Sequence, residues 1–375
     1  MAFTQVPPVD QCAFATIDNP PTPGFVPSEE EWIRQRNQLP AIDRPDLGKL
    51  VTVLRQVFVD GKLMMPDGVE IPHWGFTDET GVKSYPSLPV RLNSGDLFQG
   101  TIKPAKRQHT IHWHGIEPDS HNDGVGHTSF EVTGHYTYQW RAHPQTQGTY
   151  FYHCHVNTTL HVNMGLYGPL IVDPPGVDPN SPGPKKVFAD QPDEWDYDVE
   201  AIWAPQTIER RWHFLNHAAG MCGEDAGLNV LKPDYFLIND QGQAKDGSPI
   251  TAPHVAIKAK VGQTILLRTI HAAYVPITYD FGALDPLLIE QDGRPFRTKM
   301  DLSGRSPQGE MIAIPWSQFP AQSPAFEAQV TSPAERHSFI FKGLAPGVYP
   351  VELRFHNWVT EKVEGFARTT ITVEP

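Results

Sequence analysis

The sequence predicts an all-β protein, and three observations support this: its composition, its short alternating segments and a weak internal repeat. Proline and glycine number 37 and 30 among 375 residues, as expected for short strands joined by turns. Residues 51–54 and 90–92 alternate apolar and polar side chains, and turns of the Asp-Gly and Ser-Gly type separate such segments. A chain of this length exceeds one ordinary hydrophobic core, so we expect two domains.

Three segments of the first half recur in the second half. The matched pairs are residues 88–98 with 255–265, residues 148–152 with 347–351, and residues 170–174 with 371–375. Such a repeat indicates two copies of one β-domain. We therefore predict an N-terminal arm over residues 1–50, a first domain over 51–175 and a second domain over 185–375. The proline-rich residues 173–185 are predicted to be a linker.

The acidic balance of the chain limits its partners. A formal net charge of −13 repels nucleic acid and anionic membrane surfaces, so neither is an expected partner. The sequence contains no run of about 18 apolar residues that would span a membrane. The first residues lack the basic and then apolar pattern of a signal peptide. We expect either a cytoplasmic chain or one whose leader has been removed.

The cysteines are too few for a disulfide framework. Only Cys12, Cys154 and Cys222 are present. Cys154 stands between two histidines, which indicates a metal ligand. Cys12 and Cys222 then form either one disulfide or two free thiols, because sequence alone does not place them within bonding distance.

Histidine is concentrated in one short part of the chain. Ten of the 17 histidines fall between His109 and His161. Two segments within this window predict strands that carry metal ligands. They are His-Thr-Ile-His-Trp-His, which begins at His109, and His-Cys-His, which is centred on Cys154.

Strand geometry separates these residues into two groups. Successive side chains of a strand point to opposite faces of the sheet. Four imidazoles therefore share one face: His112, His114, His153 and His155. His109 and Cys154 share the other face. We predict two metal sites on opposite sides of one sheet, joined through the backbone of the His-Cys-His segment.

The thiolate site has a third candidate ligand in His161 and a weak axial position at Met164 or Leu166. Two imidazoles and one thiolate in a trigonal set are typical of electron-transfer copper, whose potential depends on the axial residue. Structural zinc sites prefer Cys-rich or Cys2His2 spacing, which this sequence does not have. We therefore predict copper.

These motifs resemble those of a known family. His-Thr-Ile-His-Trp-His-Gly, Gly-Thr-Tyr-Phe-Tyr-His-Cys-His and Met-Gly-Leu-Tyr-Gly-Pro-Leu-Ile-Val are similar to segments of the two-domain multicopper oxidases with type 1 copper in the first domain, and more distantly of the copper nitrite reductases. The resemblance implies two cupredoxin-like Greek-key β-barrel domains. It also implies that His109, Cys154 and His161 bind type 1 copper. The family's axial position falls on Leu166, with Met164 as the alternative.

The resemblance also implies a second copper site. Its ligands would be the imidazoles of the shared face: His112, His114, His153 and His155. An oxygen-reducing cluster in this family uses four His-x-His pairs, whereas this chain has two. His356 resembles the histidine that nitrite reductases provide to a neighbouring subunit, which implies a homotrimer. The alternative is that His356 is an ordinary strand histidine.

Two positions are candidates for catalytic roles on the same resemblance. His112 stands where nitrite reductases carry a catalytic aspartate, and the general-base histidine of that family is replaced by Leu284 or Asp285. Asp119 and Asp123 are expected to be turn residues, with steering of a substrate as the alternative.

The function predicted from these motifs is that of a laccase-like copper-dependent oxidoreductase. A small-molecule donor would reduce type 1 copper, and electrons would pass through Cys154 to His153 and His155. The second copper site would then reduce a small acceptor, either dioxygen or nitrite. The alternatives are an enzyme of the nitrite reductase type and a blue-copper electron-transfer protein without catalysis. The family favours a periplasmic or secreted location, and a cytoplasmic one stays open.

Overall fold

The computed structural model describes residues 16–17, 48–300, 307–319 and 329–375. Most of the predicted N-terminal arm and Cys12 lie outside the described residues. Helices contribute little to the described part of the chain, and none of its helices is long and apolar enough to cross a membrane. The all-β prediction is confirmed.

The first half of the chain forms a two-layered β-structure. Its strands are β1 (Thr16–Ile17), β2 (Leu50–Met64), β3 (Glu70–Thr77), β4 (Val90–Asn93), β5 (Leu97–Lys103), β6 (His112–His114), β7 (Glu131–Val132), β8 (Tyr136–Arg141), β9 (Gly148–His153) and β10 (Tyr167–Asp173). Two short helices, α1 (Ser120–Asp123) and α2 (Thr158–Met164), interrupt them. One sheet has the order β3-β2-β5-β8 and the other β4-β10-β9-β6. Phe98, Trp113 and Tyr152 are among the buried side chains between the two sheets.

The second half contains a second pair of sheets. Its strands are β11 (Val199–Trp203), β12 (Pro205–Ile208), β13 (Tyr235–Ile238), β14 (Gln241–Gly242), β15 (Ile257–Lys260), β16 (Ile265–Ile270), β17 (Ile277–Asp280), β18 (Leu287–Gln291), β19 (Arg294–Pro295), β20 (Arg297–Met300), β21 (Pro307–Met311), β22 (Ile314–Pro315), β23 (Val330–Thr331), β24 (Arg336–Phe341), β25 (Gly347–His356) and β26 (Val363–Glu374). Short 3-10 helices occur at Asp193–Trp195, Trp212–Phe214 and Trp316–Gln318. The main sheets have the orders β11-β16-β24-β18-β19 and β15-β26-β25-β17-β23.

The two halves share a topology. The order β4-β10-β9-β6 of the first half matches β15-β26-β25-β17 of the second, and β2-β5-β8 matches β11-β16-β24. The parallel pairs also match, because β4 runs parallel to β10 as β15 does to β26. The repeated segments of the sequence therefore lie on equivalent strands.

A buried polar network joins the two halves near β9. The backbone N–H of Thr149 donates to the Glu290 carboxylate at 2.5 Å, and the Thr149 hydroxyl accepts a hydrogen bond from Arg268 Nη1 at 2.9 Å. Arg268 also pairs with Glu200 at 2.7 Å. Buried charges are tolerated only when paired and hydrogen-bonded, so these contacts hold β9 in place against the second half.

Candidate metal centres

Three side chains of the first half form a buried cluster of one thiol and two imidazoles. Cys154 Sγ lies 3.5 Å from His109 Nδ1 and 3.3 Å from His161 Nδ1. All three residues are fully buried. Ligands at about 2.0 Å (nitrogen) and 2.3 Å (sulfur) from one ion are roughly 3.5 Å apart in tetrahedral geometry. The soft donor set and its spacing fit a single copper ion.

Local structure places each member of this cluster. His109 precedes β6 and exchanges two backbone hydrogen bonds with Val132, at 3.0 and 3.1 Å. Cys154 directly follows β9, and its N–H donates to the carbonyl of Leu166 at 2.9 Å. His161 belongs to α2, which ends at Gly165 with a positive φ of 113°. Three separate segments therefore converge on one point.

His217 is a neighbour of this cluster that sequence reasoning missed. The carbonyl oxygen of His217 lies 3.2 Å from His161 Nε2, so Nε2 carries the proton and Nδ1 is free to bind a metal. The His217 ring lies 4.4 Å from the His161 ring and 4.7 Å from the His109 ring, between centroids. His217 lies in a loop of the second half, four residues after His213, and no His-x-His spacing marks it in the sequence.

Burial determines the protonation of the thiol and imidazoles. Desolvation lowers the pKa of His161 to about 3 and holds the pKa of His109 well below its usual value. It raises the pKa of Cys154 to about 12. The imidazoles are therefore neutral and ready to bind, whereas a metal must displace the thiol proton.

The axial candidates lie in the same core. The side chains of Met164 and Leu166 are both fully buried. Met164 is three residues after His161 on α2, so the two share a helix face. Leu166 is tied to His161 through its N–H, which donates to the His161 carbonyl at 3.0 Å. Leu166 stays the predicted axial residue and Met164 its alternative.

A second cluster consists of imidazoles on the opposite face of β6 and β9. His112 and His153 are direct cross-strand partners. His114 Nδ1 lies 3.3 Å from His153 Nε2, and the ligand atoms of His112, His114 and His153 lie within 4.8 Å of one another. The His155 ring is 5.4 Å from His112 and 5.8 Å from His153. The structure thus brings the four predicted imidazoles together, with three of them spaced to hold one ion.

Outer contacts set the orientation of two of these rings. His112 Nδ1 lies 2.9 Å from the carbonyl oxygen of Asp123 and 3.2 Å from its carboxylate. His153 Nδ1 donates to the Cys154 carbonyl at 3.0 Å. Because both Nδ1 atoms carry protons, both Nε2 atoms present lone pairs. Asp123, expected to be a turn residue, therefore ends α1 and also orients a candidate ligand.

Two imidazoles of this second cluster, those of His114 and His153, are also neutral. Burial holds the pKa of His153 well below its usual value. Burial, followed by the charge of Arg336, lowers the pKa of His114 to about 3. Neutral imidazole is the form that binds metal, so these two residues need no proton removed at neutral pH.

Two cavities meet at His112 and His114. One, of about 260 Å³, is mostly apolar and is also lined by Phe151, Val162, Ala272, Tyr274 and Pro333. The other, of about 540 Å³, is polar and is lined by Glu117, Asp123, Asp292, Arg294 and Arg336. A small molecule can therefore approach the second cluster, whereas the thiolate cluster is fully buried.

The structure places two predicted site residues elsewhere. His356, at the end of β25, lies with Nε2 3.1 Å from Thr278 Oγ1 and Nδ1 3.1 Å from the Glu361 carbonyl. Asp285 is exposed and accepts hydrogen bonds from Ser317 N–H and Oγ at 2.8 and 2.7 Å. Neither joins the imidazole cluster in the described part of this chain. The role of His356 in a neighbouring subunit stays a prediction.

Comparisons with known proteins agree with this fold and these motifs. Residues 83–176 match the family model of the multicopper oxidases. Laccase-4 of Thanatephorus cucumeris is 29% identical over 246 residues, which cover 61% of this chain and 42% of the laccase. The chain thus spans less than half the length of this relative. The resemblance to multicopper oxidases is confirmed.

Two solved structures show the same architecture. The blue copper oxidase from Nitrosomonas europaea has a TM-score of 0.59 and 21% identity, with coverage of 87% of this chain and 86% of that one. The copper nitrite reductase from Nitrosomonas europaea has a TM-score of 0.55 and 15% identity, covering 87% and 94%. At these identities the likeness concerns the fold, which is cupredoxin-like. The cofactor prediction, copper, is confirmed at the level of the matched family.

Proposed function

We propose that this chain is a laccase-like copper-dependent oxidoreductase with two coupled metal sites. Type 1 copper is held by His109, Cys154 and His161. A second site uses His112, His114 and His153, with His155 beside them. The observation that carries the proposal is that Cys154 and His153 are adjacent in sequence yet belong to different clusters on opposite faces of one sheet.

The bound coppers supply one-electron chemistry, from a reducing donor at the first site to a small acceptor at the second. The protein supplies the rest. It excludes water from Cys154, which is fully buried. It fixes the tautomers of His161 and His153 through backbone carbonyls. It also leaves the second cluster open to a cavity, as catalysis at a metal requires.

Dioxygen is the proposed acceptor. The cavity that reaches His153 and His155 is lined mainly by apolar residues, including Phe151, Val162 and Ala272. Such a lining suits a small neutral molecule. The match to the multicopper oxidase model supports the same choice.

An enzyme of the nitrite reductase type is the second candidate. Three imidazoles, rather than eight, lie within binding distance of one another in the described part of the chain. Three imidazoles with an open position suit one catalytic ion, whereas a dioxygen-reducing cluster needs more ligands. A blue-copper carrier without catalysis would use the first site alone.

Assembly and location belong to the same proposal. We propose a homotrimer in which His356 approaches the second site of a neighbouring subunit. We also propose export to the periplasm or the exterior. Cys222 is disulfide-bonded, whereas Cys154 is free. Disulfides persist in oxidising compartments, which supports this location.

Parallel acceptor assays test this function. Copper-loaded protein with a phenolic donor should consume dioxygen in an oxygen electrode, and a His153→Ala variant should not. Under argon, with a reduced dye as donor, nitrite consumption would favour the second candidate. Two coppers per chain with neither reaction would contradict the proposed enzyme, whereas one copper and reversible reduction would support a carrier.

A further inference from the structure

Arg336 carries a buried positive charge beside the second imidazole cluster. The residue begins β24 and is 4% exposed. It lines the polar cavity together with His112 and His114. Burying a guanidinium costs free energy unless its charge is paired and its five N–H donors find acceptors. If Arg336 were purely structural, residues of this chain would pair its charge and accept hydrogen bonds from its N–H groups.

The contacts within the chain use only part of the donor capacity of Arg336. Nη1 donates to the Ala334 carbonyl at 2.6 Å and lies 3.0 Å from the Asp292 carboxylate. Nε is buried without a hydrogen-bond partner among the residues that the structure describes. Asp292 is itself 41% exposed, so its pairing with Arg336 is shared with water.

Gly115 leaves room for the guanidinium to approach the end of β6. A Cβ atom placed on Gly115 would lie 2.7 Å from Arg336 Nη2. Gly115 also has a φ of 91°, which favours glycine. Glycine directly after His114 therefore allows the positive charge to lie against the candidate ligand segment.

The ring of Phe151 lies near both the guanidinium of Arg336 and the imidazole of His114. The His114 ring stacks on Phe151 with 4.5 Å between centroids, and Arg336 Cζ lies 5.9 Å from the centre of the same ring. A ligand that enters the polar cavity and binds at His114 thus meets the guanidinium on its way. Planar guanidinium groups recognise small oxygen and nitrogen anions through paired N–H donors.

We propose that Arg336 forms an anion subsite of the second metal centre, which takes a small inorganic monoanion between the guanidinium and the imidazoles. The inference rests on the proposed function, because the anion would bind the metal of the second site as well as the guanidinium of Arg336. The remaining charged residues of the cavity are Arg294, Glu117, Asp123 and Asp292. The three carboxylates repel a multiply charged anion more strongly than a singly charged one, so the site favours single charge.

Anion titrations of the metal-loaded protein test this subsite. Sodium azide and sodium nitrite are added to copper-loaded protein, and the EPR signal of the second copper and the heat of binding are followed. Arg336→Gln should raise the Kd of both anions about tenfold or more, because hydrogen bonds to charged groups contribute about 1.5–3 kcal/mol. Arg336→Lys should recover part of the affinity. Arg294→Gln, which removes an exposed cation from the same cavity, should change the Kd less than about threefold.

Asp292→Asn provides an independent measurement. Loss of the competing carboxylate should lower the Kd of azide several-fold in the wild-type background and clearly less in the Arg336→Lys background, whereas a direct effect of the lost charge alone would be equal in both. Unchanged affinity in both Arg336→Gln and Asp292→Asn, with the second copper signal intact, would overturn the subsite. If Arg336→Gln fails to fold by circular dichroism, the effect of Asp292→Asn in the wild-type and Arg336→Lys backgrounds decides. Wild-type protein that binds no second metal would overturn the proposed function, and the subsite with it.

Discussion

The imidazole face of the first half has a counterpart in the second half that carries charges instead. Tyr150 on β9 faces Leu170 on β10, and Tyr349 on β25 faces Ile371 on β26. Residues 170–174 and 371–375 repeat one another. The pairing of β9 with β10 can therefore be matched, position by position, with the pairing of β25 with β26. The equivalent positions are His112 and Asp280, His153 and Glu352, Cys154 and Leu353, and His155 and Arg354.

The two faces satisfy their polar groups in different ways. In the second half, Arg354 pairs with Asp280 at 2.7 Å and with Glu352 at 2.6 Å. Arg368 also pairs with Glu352, at 2.6 Å. These opposite charges neutralise one another, so no set of neutral donors is left for copper. In the first half, burial keeps the imidazoles of His114 and His153 uncharged, and their lone pairs stay available.

The residues buried behind the two faces also differ in their ability to bind a metal. Cys154 and Leu353 are both fully buried at equivalent positions. The thiol offers a metal ligand, whereas the leucine offers only packing. Metal binding on this scaffold thus depends on a few side chains and not on the topology of the sheets.

Removal of the central imidazole should have the largest effect. His153→Ala should abolish loading of the second metal. It should also lower turnover by more than about 100-fold, which exceeds the loss typical when a residue that only hydrogen-bonds a metal ligand is replaced. Metal analysis and oxygen consumption measure the two effects. Glu352→Ala, at the equivalent position of the second half, should leave the copper content unchanged. Equal losses of copper in both variants would contradict the claim that the imidazole face binds copper and its counterpart in the second half does not.

The two metal sites should respond differently to pH. The pKa of Cys154 is about 12, so loading the first cluster displaces one proton and its apparent affinity should fall about tenfold for each unit that pH falls between 8 and 5. The pKa of His114 is about 3 and that of His153 lies well below its usual value, so these two ligands release no proton on binding, and the affinity of the second site should change less steeply over the same range. Competition with a chelator at several pH values measures both affinities. The same slope at both sites would contradict these protonation states.

Asp123 should matter for the second site alone. Asp123→Asn removes the carboxylate next to His112 and keeps the backbone carbonyl, so the affinity of the second site should fall about tenfold. The first site should keep its affinity. Asp119→Asn, which alters the other end of α1, serves as the matched control. Comparable losses in both variants would show that the helix, not the carboxylate, is responsible.

Disruption of the ion pairs in the second half should have the smallest effect. Glu352→Gln weakens partly exposed pairs with Arg354 and Arg368, which should lower the free energy of unfolding by no more than about 1 kcal/mol. Urea denaturation of the copper-loaded protein measures this. A loss of several kcal/mol would mean that these charges hold the second half together.

Local patterns predicted the candidate ligands of both clusters, whereas residues that reach the clusters through long-range contacts were missed. The alternation of side chains along a strand is enough to place His112 and Cys154 on opposite faces of the sheet. His217 and Arg336 reach the clusters from the second half, 56 residues after His161 and 222 residues after His114. Neither lies in a motif, so only the packing of the two halves reveals them. The domain boundaries stay predictions.

The central claim is that one His-Cys-His segment serves two distinct copper sites. The most direct measurement is copper content with visible and EPR spectra of wild-type and Cys154→Ser protein. We predict two or more coppers per wild-type chain and an intense thiolate-to-copper absorption. Cys154→Ser should lose that absorption and keep the EPR signal of the second copper. Loss of both signals together, or the absence of the absorption from the wild type, would contradict the two-site account.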